Sequence, residues 1–340
     1  MEYFRQRFLD ELNEEGDIKI RGLRWSRQQV LEGLDPDGYI QVFIEWVDDA
    51  KQAAKERARQ FLTDNGGLPR FRALTQRFRN GAVLPFVGAG MSLASGFKPW
   101  GTFLLSLLVD LPHLKSDIER LLREGLYEEA AERIQNELRG AFNEEIHSHL
   151  GSHCRNVAGP VQLMPVLFEQ EVITTNFDYV LTHVYRNAGK AFPIEYSGSR
   201  LADARSRIAN NPHCLLRLHG EADSSDGRVL TRTEYEAAYN GRTTLTAILN
   251  VLLGSRSLLF MGCSLQADRT INALREIRSN APDTPVRHYA FLPCPPEAER
   301  PERRAFLADA EIHPIYYPPD DHDQSIEDLL ISLMEGGLDG

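Results

Sequence analysis

The sequence predicts an α/β protein: a doubly wound, mostly parallel sheet with a helical insertion and a helical N-terminal region. Three observations point there. Six short apolar runs, at residues 82–87, 172–175, 214–219, 257–261, 287–292 and 312–317, have strand length and composition. Most are continuously apolar rather than alternating, which suits a parallel sheet covered on both faces. Helical stretches lie between them, the pattern of strand–helix–strand crossovers.

Residues 1–69 form the helical N-terminal region and residues 70–340 the main domain. Phe4, Phe8 and Leu12 stand at helical spacing, and an apolar stripe follows from Val42 through Trp46, Val47, Ala50, Ala54 and Ala58 to Leu62. Asn65-Gly66-Gly67-Leu68-Pro69 stops it. The Trp46 stripe is open to two readings, a partner-binding face or packing on the main domain. Phe71, Leu74 and Phe78 mark a short helix closed by Asn80-Gly81. The insertion, about residues 102–165, carries a long helical periodicity that includes Ile118, Leu121, Ala130, Ile134, Phe142 and Ile146. A closing helix is expected from Ser325, whose hydroxyl is placed to cap a first turn that includes Asp328.

At 340 residues the chain can bury one substantial core with a satellite module. A formal net charge of −11 argues against broad docking on nucleic acid or anionic lipid. No apolar run approaches the roughly 20 residues that span a bilayer, and the charged first segment lacks the apolar stretch of a secretory signal. A cytoplasmic location is the expectation. Cys154, Cys214, Cys263 and Cys294 form no C-x-x-C pair, so reduced thiols and no structural metal are expected.

Four strand ends carry polar chemistry. The first runs from Val83 into Gly88-Ala89-Gly90-Met91-Ser92, where glycines let backbone N–H groups approach a diphosphate at the start of a following helix. The full G-x-G-x-x-G fingerprint is absent, because position 93 is Leu. The second ends in Thr174-Thr175-Asn176-Phe177-Asp178. Asn176 can hold a sugar hydroxyl or a water and Asp178 a carboxamide; both residue types also cap helices. The third delivers His219, followed by Gly220, a histidine placed to act as a general base near neutral pH. The fourth exits into Gly262-Cys263-Ser264, followed by Asp268, and can line the adenosine half of a dinucleotide. Ligands of open α/β sheets bind at this C-terminal edge.

In their order these segments resemble the sirtuin family, and more closely its NADase branch found in bacterial antiphage defence. Gly88-Ala89-Gly90-Met91-Ser92 resembles the family's G-A-G-x-S loop, Thr174-Thr175-Asn176-Phe177-Asp178 its T-Q-N-I-D, Leu218-His219-Gly220 its L-H-G and Gly262-Cys263-Ser264 its G-T-S. The resemblance runs from about Arg70 to Tyr317. It implies a Rossmann-like domain with NAD⁺ across the sheet edge, Asn176 and His219 as catalytic pair, and contacts from Gly88, Ala89, Gly90, Ser92, Thr175, Asp178, Gly262, Cys263 and Ser264. The sequence departs from deacylating sirtuins at Gly96-Phe97-Lys98-Pro99-Trp100-Gly101, where the family has G-I-P-D-F-R; Trp100 is the candidate replacement. Residues 221–239 hold no cysteine, so the family's zinc module is missing.

These departures favour NAD⁺ hydrolysis over protein deacylation or ADP-ribosyl transfer, with a non-catalytic NAD⁺- or ADP-ribose-binding subunit as the third reading. NAD⁺ is then substrate, and no metal is expected. Because a free NADase is toxic to its own cell, the expectation is gating, through a homo-oligomer or a partner protein engaged by the N-terminal region and the insertion.

Overall fold

The computed structural model describes residues 2–197, 201, 213–239, 245–266, 269–280 and 286–338. The acid singled out at Asp268 lies outside the described residues. A small antiparallel ribbon pairs β1 (Ile18–Ile20) with β2 (Leu23–Trp25). The main sheet contains β3 (Val83–Val87), β4 (Val172–Thr174), β5 (Ile194–Ser197), β6 (Cys214–Arg217), β7 (Ser257–Met261), β8 (His288–Pro293) and β9 (Ile312–Tyr317). Its order is β5-β6-β4-β3-β7-β8-β9, and every recorded pairing is parallel. The chain builds outward from β3 on one side, then returns to place β7 on the other. The topological switch point therefore lies between β3 and β7, where open sheets of this kind bind ligands.

Continuous apolar strands make sense against this architecture, because both faces are covered. Val87, Leu215, Leu259, Met261 and Ile315 belong to one buried cluster, and Leu84, Phe86, Leu216, Leu258 and Phe260 to the other. The assignments alternate along each strand as the pleat demands. Phe86 of β3 sits opposite Phe260 of β7, with ring centroids 4.8 Å apart. The Rossmann-like, doubly wound sheet predicted from the sequence is present, with a seventh strand, β5, added at one edge. Ile194-Glu195-Tyr196-Ser197 is too short and too polar to stand out as a buried run.

The first cluster also settles how the long helix Pro36–Asp64 is used. Val47, Ala54, Ala58 and Leu62 are buried in it together with Ile326, Leu329 and Leu330 of the closing helix. Of the two readings of the Trp46 stripe, packing on the main domain therefore holds for the C-terminal half of this helix. Arg57 adds a bidentate bond to Asp328, with Nε and Nη2 at 2.9 and 2.7 Å from the carboxylate oxygens. The closing helix spans His322–Met334, so it begins before Ser325. Ser325 is buried inside the first turns, and Asp328 answers Arg57 across the helix pair instead of sharing a cap.

The N-terminal region is not wholly helical, because β1 and β2 interrupt it. Arg21 and Gly22 both have positive φ, 51° and 84°, as a two-residue hairpin turn matching the strand twist requires. Alternation over three residues per strand is too short a signal to compete with the helical pattern around it.

The insertion builds a third cluster from Phe103, Ile118, Ala130, Ile134 and Phe142, to which the main domain contributes Phe177, Tyr179 and Leu230. It is seated beside the strand ends that carry the polar motifs. Among the described residues no helix is long and apolar enough to cross a membrane.

His288 ties β7 to β8 and makes the fold pH-sensitive. Its Nδ1 accepts the backbone N–H of Leu258 at 3.0 Å, and burial pushes the ring down to about 3. The folded state therefore binds a proton less readily than the unfolded chain, so stability is full above the ordinary histidine value. It is lost as pH falls from there towards 3. Urea unfolding should show that slope, and His288→Asn, which keeps an acceptor in place of Nδ1, should reduce it, leaving the part that His183 and His313, also pushed down by burial, contribute.

Candidate active site

Parallel pairing brings the ends of β3, β4, β6 and β7 to one edge, and a cavity of about 760 Å³ opens there. That lies within the size range of small-molecule and cofactor sites. Its walls include Gly88, Ala89, Gly90, Trp100, Thr175, Asn176, Asp178, His219, Gly262, Cys263 and Ser264. Ser92 instead lies behind the wall, buried and accepting a bond from Asn176 Nδ2 at 3.2 Å.

The glycine loop is shaped by close backbone contact. Gly88 N–H donates to Met261 O at 2.9 Å, and Gly90 N–H to Gly262 O at 2.8 Å. A Cβ on Gly90 would lie 2.6 Å from Gly262 Cα, and one on Gly262 would lie 2.4 Å from Met91 N. These glycines let two loops interlock at the switch point. The N–H groups of Gly88 and Gly90 are themselves engaged by β7 and its exit, while Gly88, Ala89 and Gly90 all line the cavity. The expected helix is a single 3₁₀ turn, Ala89–Ser92, too short to bring a helix dipole to an anion.

His322 braces the same loop from the closing helix. Its Nε2 lies 3.2 Å from Gly90 O and its Nδ1 2.7 Å from the Tyr317 hydroxyl. A carbonyl only accepts, so Nε2 carries the proton. Both side chains line the cavity, and nothing near them in sequence marks them for that task.

The turn after β4 is held from below. Thr174 Oγ1 donates to Val87 O at 2.9 Å and accepts Asn176 N–H at 3.0 Å. Asp178 accepts Val180 N–H at 3.0 Å from one residue before Tyr179, the N-cap of the helix Val180–Asn187. Burial pushes the Asp178 carboxyl above the usual range, against the pull of that N–H and of Arg217. Arg217, the last residue of β6, is fully buried. Its Nη1 donates to Asp178 O at 2.7 Å and Asn176 O at 3.3 Å, its Nη2 to Thr182 Oγ1 at 2.8 Å, and its Nε to Glu195 Oε2 at 3.1 Å. One side chain thereby holds the Asn176–Asp178 turn against β5. A lone charge inside an apolar strand was the available signal, and the sequence reading passed over it.

His219 follows β6 in a turn, where its carbonyl accepts Val229 N–H at 2.8 Å. Its ring stands 6.1 Å from Phe177, which meets Trp100 at 5.2 Å, and Trp100 stacks on Phe103 at 5.3 Å. Trp100 thus links the insertion to the strand ends. Charged groups stand further along the cavity. Arg269 donates through Nε to Glu128 at 2.8 Å and lies 3.7 Å over the Tyr235 ring, and Lys98, Arg275 and Glu129 also line the wall, which is therefore of mixed charge. Cys263 remains a thiol, and among the described residues no group of three or more His, Cys, Asp or Glu is placed to hold a metal ion. An amide, an imidazole and hydroxyls thus share a cavity with charged groups of both signs, a setting for an extended polar ligand.

Two substitutions probe this construction. Arg217→Met strands Glu195 and two turn carbonyls, so urea unfolding should show a loss of about 3 kcal/mol. Gly262→Ala forces a side chain onto a φ of +68° against Met91 N, and the same measurement should show a loss of about 2 kcal/mol or more.

Part of the chain is similar to known proteins. Residues 170–315 match the SIR2-like domain family. The chain is 23% identical over 210 residues to the NAD(+) hydrolase ThsA of Acinetobacter baumannii (strain 532279), an alignment covering 61% of this chain and 41% of that protein. It is 21% identical over 225 residues to the NAD(+) hydrolase ThsA of Enterococcus faecium, covering 64% of this chain and 44% of that protein. The alignments thus span less than half the length of these curated relatives. The matched segment contains β4, β6 and β7, with Asn176, His219 and Gly262 at their ends, so this part of the Rossmann-like sheet is similar to a SIR2-like domain.

Proposed function

We propose that the protein is an NAD⁺ hydrolase that cleaves the nicotinamide–ribose bond to give nicotinamide and ADP-ribose. The observation that carries the reading is the convergence of Asn176 and His219, from the ends of two strands, on one cavity. The NAD(+) hydrolase activity for which the two relatives are named supports it. So does a cavity with room for a dinucleotide, whose wall carries Lys98 and Arg275 for its diphosphate beside the Arg269–Glu128 pair.

The chemistry asks little of the protein beyond placement. Nicotinamide in NAD⁺ is a cationic pyridinium, so it departs neutral and needs no general acid. As the C1′–N bond breaks, the ribose gains oxocarbenium character, and water forms the new C1′–O bond while giving up a proton. Asn176, fixed through Ser92 and the Arg217 clamp, orients the ribose and that water. His219 takes the proton. The rings of Trp100 and Phe177 offer π faces to the positive charge that moves through this end of the cavity. No counterpart of the Asp-Phe-Arg stretch of deacylating sirtuins is present, and Trp100 occupies that side, which favours water over a peptide as acceptor.

A role as gated effector of antiphage defence fits the resemblance of the motifs, since unchecked loss of NAD⁺ harms the host cell. Gating would act through assembly or through a partner protein.

The test is to incubate the purified chain with NAD⁺, alone and with an acyl-lysine peptide, and to separate the products by chromatography. Nicotinamide and ADP-ribose should form without the peptide. His219→Ala should slow their formation by about a hundred- to ten-thousand-fold while leaving the unfolding transition in place. Wild-type turnover in that variant would remove His219 from the mechanism, and strict dependence on the peptide would replace hydrolysis with deacylation.

A further inference from the structure

The ribbon and the start of the long helix leave two complementary surfaces uncovered. Register pairs Ile18 with Trp25 and Ile20 with Leu23, so these four side chains share one face, while Lys19 pairs with Arg24 on the other. Leu23 is 63% exposed, and Ile20 and Trp25 are each 41% exposed. Lys19 and Arg24 are exposed as well, so neither face of the ribbon is covered. An isolated two-stranded ribbon is marginal by itself, and like charges directly opposite one another weaken it further. Both features call for a contact that brings apolar surface and negative charge together.

That complement lies on the same chain. On the helix Pro36–Asp64, positions 37, 40, 44 and 48 fall on one stripe. Ile40 and Ile44 are 54% and 47% exposed, and exposed Asp37 and Asp48 bracket them one turn before and one turn after. Eleven residues of helix separate the two acids by roughly 16 Å. A ribbon laid across the stripe sets its apolar face on the isoleucines, and the long stems of Lys19 and Arg24 reach past its two edges to the aspartates. Among the described residues, none of Lys19, Arg24, Asp37 and Asp48 has an ion-pair partner within the chain. Seven of the twelve large apolar side chains exposed among the described residues fall between positions 20 and 44, so the uncovered surface is concentrated here.

We propose that this face is the interface of a two-fold symmetric dimer, in which the β1–β2 ribbon of each copy lies on the Asp37–Asp48 stripe of the other. A two-fold axis makes the contact twice, each copy giving a ribbon and receiving one. The occupant is a second copy because basic apolar ribbon and acidic apolar stripe are both supplied by one sequence. The interface lies in the N-terminal region rather than among the residues that line the cavity, so it stands or falls apart from the NAD⁺ reading.

Charge reversal tests it through sedimentation velocity on the full chain. Wild type should dimerise. Lys19→Glu with Arg24→Glu, and separately Asp37→Lys with Asp48→Lys, should each raise the self-dissociation constant at least about tenfold, because like charges then meet in both contacts. An equimolar mixture of the two variants should recover the wild-type affinity, because every ribbon again meets a stripe of opposite sign. That recovery also reports that both variants are folded. A wild type that stays monomeric at its highest soluble concentration would overturn the proposal. So would dimers that both variants retain, or a mixture no tighter than its components.

Discussion

The site depends on a guanidinium with no access to water. Placing a cation in a protein interior costs several kcal/mol unless its donors are matched, and Arg217 meets that condition by drawing acceptors from three segments. Two are carbonyls of the turn after β4, one is the hydroxyl of Thr182 on the following helix, and one is the carboxylate of Glu195 on the edge strand β5. The Tyr179 ring lies 4.9 Å from the guanidinium and adds a cation–π contact. Because the donors form a rigid planar fork, the acceptors are fixed relative to one another. The Asn176 amide, the carboxyl of Asp178 and the start of the helix Val180–Asn187 inherit their positions from that arrangement.

The second constraint is steric. At the switch point, β3 and β7 exit side by side, and Gly88, Gly90 and Gly262 approach closely enough that no Cβ fits between them. The closing helix contributes His322 to the same loop, so the last helix in the sequence braces the first motif. That helix is in turn tied to Pro36–Asp64 through Arg57 and Asp328. Packing in the N-terminal region therefore reaches the cavity through a continuous series of contacts. The helical insertion closes the other side through Trp100 and Phe177, and Arg269 with Glu128 bridges it to the helix after β7.

Much of the fold was legible in the sequence because it follows from local rules. Continuous apolar runs separated by helical periodicity announce a parallel sheet covered on both faces, and six of its seven strands were visible that way. The polar residues at the ends of β3, β4, β6 and β7 were visible for the same reason, since a buried strand that stops at Gly, Asn or His stands out against its surroundings. What escaped was short or mixed. β5 alternates too little and carries Glu195, and the ribbon at residues 18–25 offers only three residues per strand. The expected cap at Ser325 failed because the helix starts three residues earlier, at His322, and Asp328 is bonded to Arg57, a partner 271 positions away.

By itself, then, the sequence determined the order of elements, the sheet type and which side chains stand at the strand ends, because spacing and polarity act over a few residues. Tertiary structure decided which of them meet and what each one holds. It engaged two glycine N–H groups in interlocking loop contacts, placed Ser92 behind the cavity wall and made Arg217 the clamp of the turn after β4. The reason is range: a buried charge takes acceptors from wherever the fold delivers them, and no local pattern records where that will be.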